Sequence, residues 1–220
     1  MGTQLISQES ISWQKLAPFL DGPIRVRLSP GAKNSIRESN KVLKQILKTK
    51  RKVYGVNTGF GKLSSVSISV KDLKQLQLNL VRSHCCGIGT PLDLGVTRLM
   101  LVLKLMTYAK GYSGVRPKVA QLLVDMLNHD ILPIIPRKGS VGASGDLAPL
   151  AHMARGMIGE GDVHFQDRIV PAMIALKESN LNPIVLEAKE GLSLINGTQV
   201  SVALGIRSLA EAYILLKTAD

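Results

Sequence analysis

Residues 139–152 read Gly139-Ser140-Val141-Gly142-Ala143-Ser144-Gly145-Asp146-Leu147-Ala148-Pro149-Leu150-Ala151-His152, and the organisation of the chain turns on them. Three glycines in seven residues interrupt any regular element, while Leu147, Leu150, Ala151, Ala154 and Met157 recur at helical spacing after them. Asp146 therefore begins a helix, with Pro149 tolerated in its first turn. The stretch fails two familiar tests. Asp146 stands where a nucleophile elbow, G-x-S-x-G, needs its last glycine, and the glycines lack the Lys-Ser/Thr of a phosphate-binding loop. Taken alone, Ala143-Ser144-Gly145 is a tight turn ahead of a helix.

Working outward, Pro133 and Pro136 mark an extended connection, preceded by helices from Pro117 to Asn128 and from Leu92 to Lys110. The latter is apolar nearly all round, but Asp93, Arg98 and Lys104 keep it short of the roughly 18 nearly uncharged residues of a membrane span, so it reads as a buried helix. Upstream, Ser69 caps a helix through Arg82 that carries Leu73, Leu76 and Leu80 and is broken by Gly87 and Gly89. Tyr54 to Gly61 is a glycine-punctuated loop. A helix from Lys33 to Lys50 puts Val42, Leu43, Ile46 and Leu47 on one face, and Ile24 to Leu28 alternates as a short strand before a turn at Ser29-Pro30-Gly31. Downstream come a hairpin over Val163 to Val170, short helices over Pro171 to Ser179 and Ala188 to Leu194, and a long helix from Thr198 to Lys217. The fold class is mainly α with a few short strands. It divides into residues 1–195, which carry the Ala-Ser-Gly loop, and 196–220, the start of a long helix whose breadth of apolar surface needs partners.

Composition excludes several classes. With 45% apolar residues and 20 unperiodic glycines in 220, the chain is neither disordered nor collagen-like. The first ten residues lack a secretory pattern, and Ile6 stands where a myristoylation signal needs Ser or Thr. Cys85 and Cys86 are adjacent and cannot staple distant segments, which points to a reducing cytoplasm. The net charge of +12 is confined to the first two thirds, since residues 1–60 carry 11 basic against 3 acidic side chains, 61–140 carry 11 against 4, and 141–220 carry 6 against 9. Aromatics make up only 4%, too few for a stacking surface among the basic residues. The run Lys48, Lys50, Arg51, Lys52 therefore reads as a solvated helix end that complements the helix dipole, with an anionic partner as the lesser alternative. His84, His129, His152 and His164 show no metal-ligand spacing, so no metal is expected.

Three further segments change the weight of the triplet: Tyr54-Gly55-Val56-Asn57-Thr58-Gly59-Phe60-Gly61, Ser83-His84, and Asn196-Gly197-Thr198-Gln199. In this order, from Ile24 to Leu216, the chain resembles the N-terminal part of the aromatic amino-acid ammonia-lyase family, and within it the members that act on histidine. The resemblance implies the helical fold shared with fumarase and aspartase, with the beginning of a central helical bundle. It implies that Ala143, Ser144 and Gly145 cyclise into methylidene-imidazolone, an electrophile made without metal or external cofactor. Such a group is needed because an α-ammonium leaves poorly and ordinary side chains are not electrophiles. Tyr54 takes the role of the base for the β-proton, although a phenol with an ordinary pKa of about 10 must be lowered by its site or act as a positioned partner. Ser83 and His84 correspond to the substrate-selecting pair, where an imidazole suits L-histidine as substrate. Asn196 corresponds to an amide near the electrophile, and Gly61, Asp146 and Gln199 to supporting residues, Asp146 also capping the helix it begins.

The implied reaction is elimination of ammonia from L-histidine to give urocanate, the first step of histidine degradation, in a cytoplasmic homotetramer. Family subunits are considerably longer and supply further active-site residues from a second half, so the resemblance implies that this chain is a fragment or truncated product. Two alternatives stay open: an inactive piece that needs a complementary chain, and a sister lyase or aminomutase acting on phenylalanine or tyrosine.

Overall fold

The computed structural model describes residues 2–49, 52–59, 61–63, 66, 68–69 and 72–219. Strand β1 (Thr3–Ile6) pairs in parallel with β2 (Arg25–Leu28), Ile6 opposite Leu28, and the chain between them forms α1 (Trp13–Leu16) and a 3-10 turn at Ala17–Leu20. The expected alternation holds in β2, where Val26 and Leu28 are buried and both arginines exposed. The partner strand at the N-terminus had no signal of its own.

Helix α2 (Pro30–Lys48) begins three residues before the expected start. Ser29-Pro30-Gly31 is its cap and first turn, because the Ser29 hydroxyl accepts from the Ala32 amide at 3.1 Å and Pro30 occupies the first helical position. Its buried stripe is Ala32, Ile36, Asn40 and Leu43, whereas Val42 is turned to solvent, one helical step off that stripe. Lys50 and Arg51 of the basic run lie outside the described residues. Helix α3 (Leu73–His84) starts after the residue expected to cap it. Ser69 instead closes the preceding turn, its hydroxyl bonding to the Asp72 carboxylate at 2.6 Å and its carbonyl accepting from Leu73.

Beyond α3 the glycines do more than end a helix. They lead into strand β3 (Ile88–Pro91), whose antiparallel partner comes later in the chain. Helix α4 (Leu94–Ala109) then runs through the centre of the core, with Leu99, Met100, Leu101, Val102 and Leu105 fully buried. Asp93 caps it by accepting from Gly95 N at 2.8 Å. A Cβ at Gly95 would collide with the Leu20 carbonyl, so only glycine lets α4 lie this close to the 3-10 turn. The charges that interrupt α4 are internal. Arg98 pairs with Asp130 at 2.8 and 3.1 Å and donates to the Phe19 carbonyl, and Lys104 points toward Asn196.

Helix α5 (Pro117–Asn128) packs beside α4 and ends at Asn128, whose amide side chain both donates to and accepts from the backbone of Val26, extending β2 as another strand would. Strand β4 (Leu132–Pro133) precedes β5 (Pro136–Lys138), the partner of β3, with Ile88 opposite Lys138. Helix α6 (Leu147–Met157) follows the triplet. The expected hairpin is β6 (Asp162–Phe165) and β7 (Arg168–Pro171), joined through Gln166 and Asp167 at φ 50° and 59°, both in the left-handed region a two-residue turn requires. β6 also pairs with β4.

Helices α7 (Ala172–Glu178) and α8 (Glu190–Ile195) are short, and α9 (Gln199–Ala219) is long. The first turns of α9 join the common core through Val200, Ala203 and Ile206. Its far end leaves the core, with Leu209, Ile214, Leu215 and Leu216 exposed. Glu190–Ala219 is long and apolar enough to cross a membrane by length and composition alone, but it consists of two helices separated at Asn196–Thr198.

Candidate active site

The Ala143-Ser144-Gly145 loop leaves β5 and enters α6. Ala143 and Ser144 are exposed, while Gly145 is half buried at φ 110°, a conformation open to glycine and strained for other residues. A Cβ at Gly145 would collide with the Gly197 carbonyl oxygen. That same oxygen accepts from the Asp146 amide at 2.7 Å. Gly197 is itself at φ 138°, with the Gln199 side chain pressed where its Cβ would be. The Asn196-Gly197-Thr198-Gln199 segment, some fifty residues downstream, therefore forms the floor on which the triplet rests.

Asp146 is 1% exposed and stands at the N-terminal boundary of α6, yet its carboxylate makes no bond to the amides of that helix. This corrects the expected cap. The carboxylate instead accepts from the Ser201 amide at 2.8 Å, from the Ser201 hydroxyl at 2.7 Å and from the Ser140 hydroxyl at 3.0 Å. Asp146 thus ties both ends of the loop to the first turn of α9. Gln199 is buried, donating from Nε2 to the Thr107 hydroxyl at 3.0 Å, while its Oε1 has no partner among the described residues. Asn196 ends α8 with its side chain at the surface, and its backbone carbonyl accepts from Lys104 Nζ at 2.7 Å.

Ser83 and His84 close α3. The pairing of β3 with β5 joins the strand that follows His84 to the strand that precedes the triplet. Gly87 packs against Gly139, and its amide donates to His152 Nε2 at 3.2 Å. Two side chains of the pair are already engaged. His84 Nδ1 lies 2.8 Å from the Leu80 carbonyl and 3.2 Å from the Ser83 hydroxyl, which itself donates to Leu80 O at 3.1 Å. A carbonyl cannot donate, so Nδ1 carries a proton, and in the neutral tautomer Nε2 is an acceptor. His152 holds its Nε2 lone pair toward Gly87, and burial, reinforced by Arg155, pushes its pKa down.

Tyr54 belongs to the other glycine-punctuated motif. It is 60% exposed in the turn after α2 and lines a cavity of about 370 Å³ with Leu43, Val56, Tyr112 and Lys189, a lining that includes none of the triplet. The turn is locally built: Asn57 Oδ1 accepts from Val53 N at 2.8 Å, and buried Thr58 accepts from Gly55 N at 3.3 Å. Gly61, at φ 55°, opens a 3-10 turn, and none of the described residues lies within 4 Å of its Cβ position; Phe60 of the motif lies outside the described residues. Direct contacts thus join Gly145 and Asp146 to the Asn196–Gln199 segment, and the β3–β5 pairing brings in the strand that follows Ser83-His84, while the cavity that Tyr54 lines includes none of these residues. Among the described residues no three His, Cys, Asp or Glu side chains are grouped to hold a metal.

Three contributors carried too little local signal to be assigned roles from sequence. Ser201 is an unremarkable serine in a helix, His152 follows the triplet on its own helix, and Lys104 showed only as a cation inside an apolar run.

The family model for aromatic amino acid lyases matches residues 11–220. The chain belongs to the aromatic amino acid lyase family. Curated relatives of the chain include histidine ammonia-lyases of Myxococcus xanthus, 45% identical over 216 residues, and of Bacillus cytotoxicus, 50% identical over 190. These alignments cover 98% and 86% of the chain but only 42% and 38% of the relatives. Among solved structures, histidine ammonia-lyase from Trypanosoma cruzi superposes with a TM-score of 0.89 at 36% identity, over 96% of this chain and 41% of that one. The Pantoea agglomerans phenylalanine aminomutase superposes at 0.92 with 29% identity, over 100% and 42%. The lyase fold read from the sequence, mainly helical with few short strands, is the fold observed.

Proposed function

We propose that this lyase chain is the N-terminal part of a histidine ammonia-lyase, converting L-histidine to urocanate and ammonia. The observation that carries the reading is the seating of Gly145 against the Gly197 carbonyl while Asp146 clamps both ends of the loop. That compressed bend suits the residues for methylidene-imidazolone. Gly145 has the left-handed backbone and absent side chain that a backbone folded on itself needs, and the exposed Ser144 puts its side chain where a substrate can reach. In ring closure the Gly145 nitrogen bonds to the Ala143 carbonyl carbon and passes its proton to the oxygen, which departs as water with the Ser144 amide proton. Ser144 then loses its hydroxyl and α-hydrogen as a second water, leaving an exocyclic methylene. When formed, that methylene supplies the electrophile for the substrate's amine or ring.

The remaining roles fall to side chains. His84 Nε2, left as an acceptor, takes a hydrogen bond from the substrate imidazole N–H, with Ser83 beside it. Asn196 offers its exposed amide next to Gly197, and Tyr54 is assigned the β-proton. Because Tyr54 lines its own cavity, we propose that the site is completed by sequence outside this chain and by other subunits of a cytoplasmic homotetramer, with residues 196–220 contributing to its helical bundle. The exposed apolar end of α9 supports this.

Intact mass of the purified chain beside a Ser144→Ala variant tests the proposal. The expected result is a loss equal to two waters in the wild type alone. Urocanate formation on adding the complementary chain separates this reading from a sister enzyme that releases an aryl acrylate or a β-amino acid.

A further inference from the structure

Lys104 sits in the middle of α4 with its side chain 0% exposed. Its Nζ lies 2.7 Å from the Asn196 carbonyl oxygen and 5.7 Å from the Tyr108 ring centre. Among the described residues no carboxylate forms an ion pair with it, and burial lowers its pKa to about 7. An amine in such surroundings is costly to desolvate, and a methionine of similar length would fill the space without that cost. Its hydrogen bond falls on the one peptide that links α8 to the floor of the triplet.

The geometry of that link gives the bond a consequence. Asn196 is extended, at φ −86° and ψ 129°, with its carbonyl turned to α4. Gly197, at φ 138°, turns its own carbonyl the other way, onto the Asp146 amide and under Gly145. Glycine imposes little resistance to rotation of the flanking peptides. One carbonyl is held by Asp146 from the loop side and the other by Lys104 from the core side.

We infer that Lys104 is a positioning residue of the candidate active site, its buried amine fixing the Asn196–Gly197 peptide so that the Gly197 carbonyl stays pressed against Gly145. The inference rests on the reading of the triplet as a self-cyclising loop, but the placement of the peptide can be measured without it.

The test uses the full chain and its Lys104→Met and Lys104→Gln variants, the latter retaining a neutral N–H donor. Amide hydrogen exchange at Asp146, whose N–H is held by Gly197 O, is read beside exchange at Leu99 and Val102 in the core; intact mass reports ring closure. In Lys104→Met the Asp146 amide is expected to exchange about tenfold faster or more while the α4 amides stay protected. Ring closure is expected to slow correspondingly, with partial recovery of both readouts in Lys104→Gln. Unchanged Asp146 exchange, or ring closure at the wild-type rate in Lys104→Met, overturns the inference. Should the wild type itself show no mass loss, the cyclisation reading fails and Asp146 exchange alone decides the role of Lys104. Loss of the fold in both variants makes Lys104 a core residue only, and also overturns it.

Discussion

Asp146 and Ser201 are joined twice, the Ser201 amide donating to one carboxylate oxygen at 2.8 Å and its hydroxyl to the other at 2.7 Å. The residue that begins α6 in sequence therefore caps α9 in space. Ser201 lies in the first turn of α9, where backbone amides have no partner within their own helix and a negative charge is favoured.

Replacing Asp146 with Ala removes the buried carboxylate that accepts three charge-assisted bonds, from the Ser201 amide and from the Ser201 and Ser140 hydroxyls. The expected loss is about 2 to 3 kcal/mol of unfolding free energy, read as a lower urea midpoint with an unchanged slope. Asp146→Asn, which keeps one oxygen, is expected to lose less.

Gly145 and Gly142 separate conformation from contact. Both have positive φ, at 110° and 67°, but a Cβ on Gly142 meets nothing within 4 Å while one on Gly145 meets the Gly197 carbonyl. Gly142→Ala is expected to cost about 1 kcal/mol from backbone strain alone. Gly145→Ala is expected to cost more and to abolish the two-water mass loss, since the loop must lift off its floor. Chemical denaturation and intact mass of the two variants read these differences.

The His152 pKa is lowered on folding, chiefly by burial and then by Arg155. Below the unfolded value of about 6.5 the unfolded chain binds more protons than the folded one, so stability falls as pH drops through that range. Protonating Nε2 also ends the bond from Gly87. A His152→Gln variant is expected to show a shallower fall of melting temperature between pH 7 and pH 5, by pH-resolved thermal unfolding.

Lys104 has the same sign of linkage in another window. Its pKa falls from 10.5 to about 7, so between those values the unfolded chain binds the extra proton and stability rises with pH. Cys85, raised by burial to about 11, opposes this above pH 9, and Tyr108 is raised as well. The difference between wild type and Lys104→Met removes those common contributions. That difference is expected to favour the variant most near pH 6 and to shrink by pH 9.

How much of this was legible beforehand follows the range of the interactions. The helical spacing after Asp146, the alternation in Arg25–Leu28 and the hairpin at Gln166-Asp167 are local patterns, and each element formed where its pattern lay. Elsewhere a local signal admitted two geometries. Ser29-Pro30-Gly31 serves a turn or a helix start equally, and Asp146 at a helix boundary serves as a cap for whichever helix comes near. The site behaved likewise: the triplet, Ser83-His84 and Asn196 were visible as motifs, whereas Ser201 and Lys104 had nothing in their neighbours to mark them.

By itself the sequence determined the longer helices, β2 and the β6–β7 hairpin, the buried character of α4 and the order of motifs that identifies the family, because periodicity, turn residues and motif spacing are properties of adjacent residues. Only the tertiary structure decided that β1 lies parallel to β2, that Gly197 is the floor beneath Gly145, and that Asp146 caps α9. Those are contacts between residues tens of positions apart. They are set by which faces the core can bury together and by which carbonyls the buried donors must satisfy.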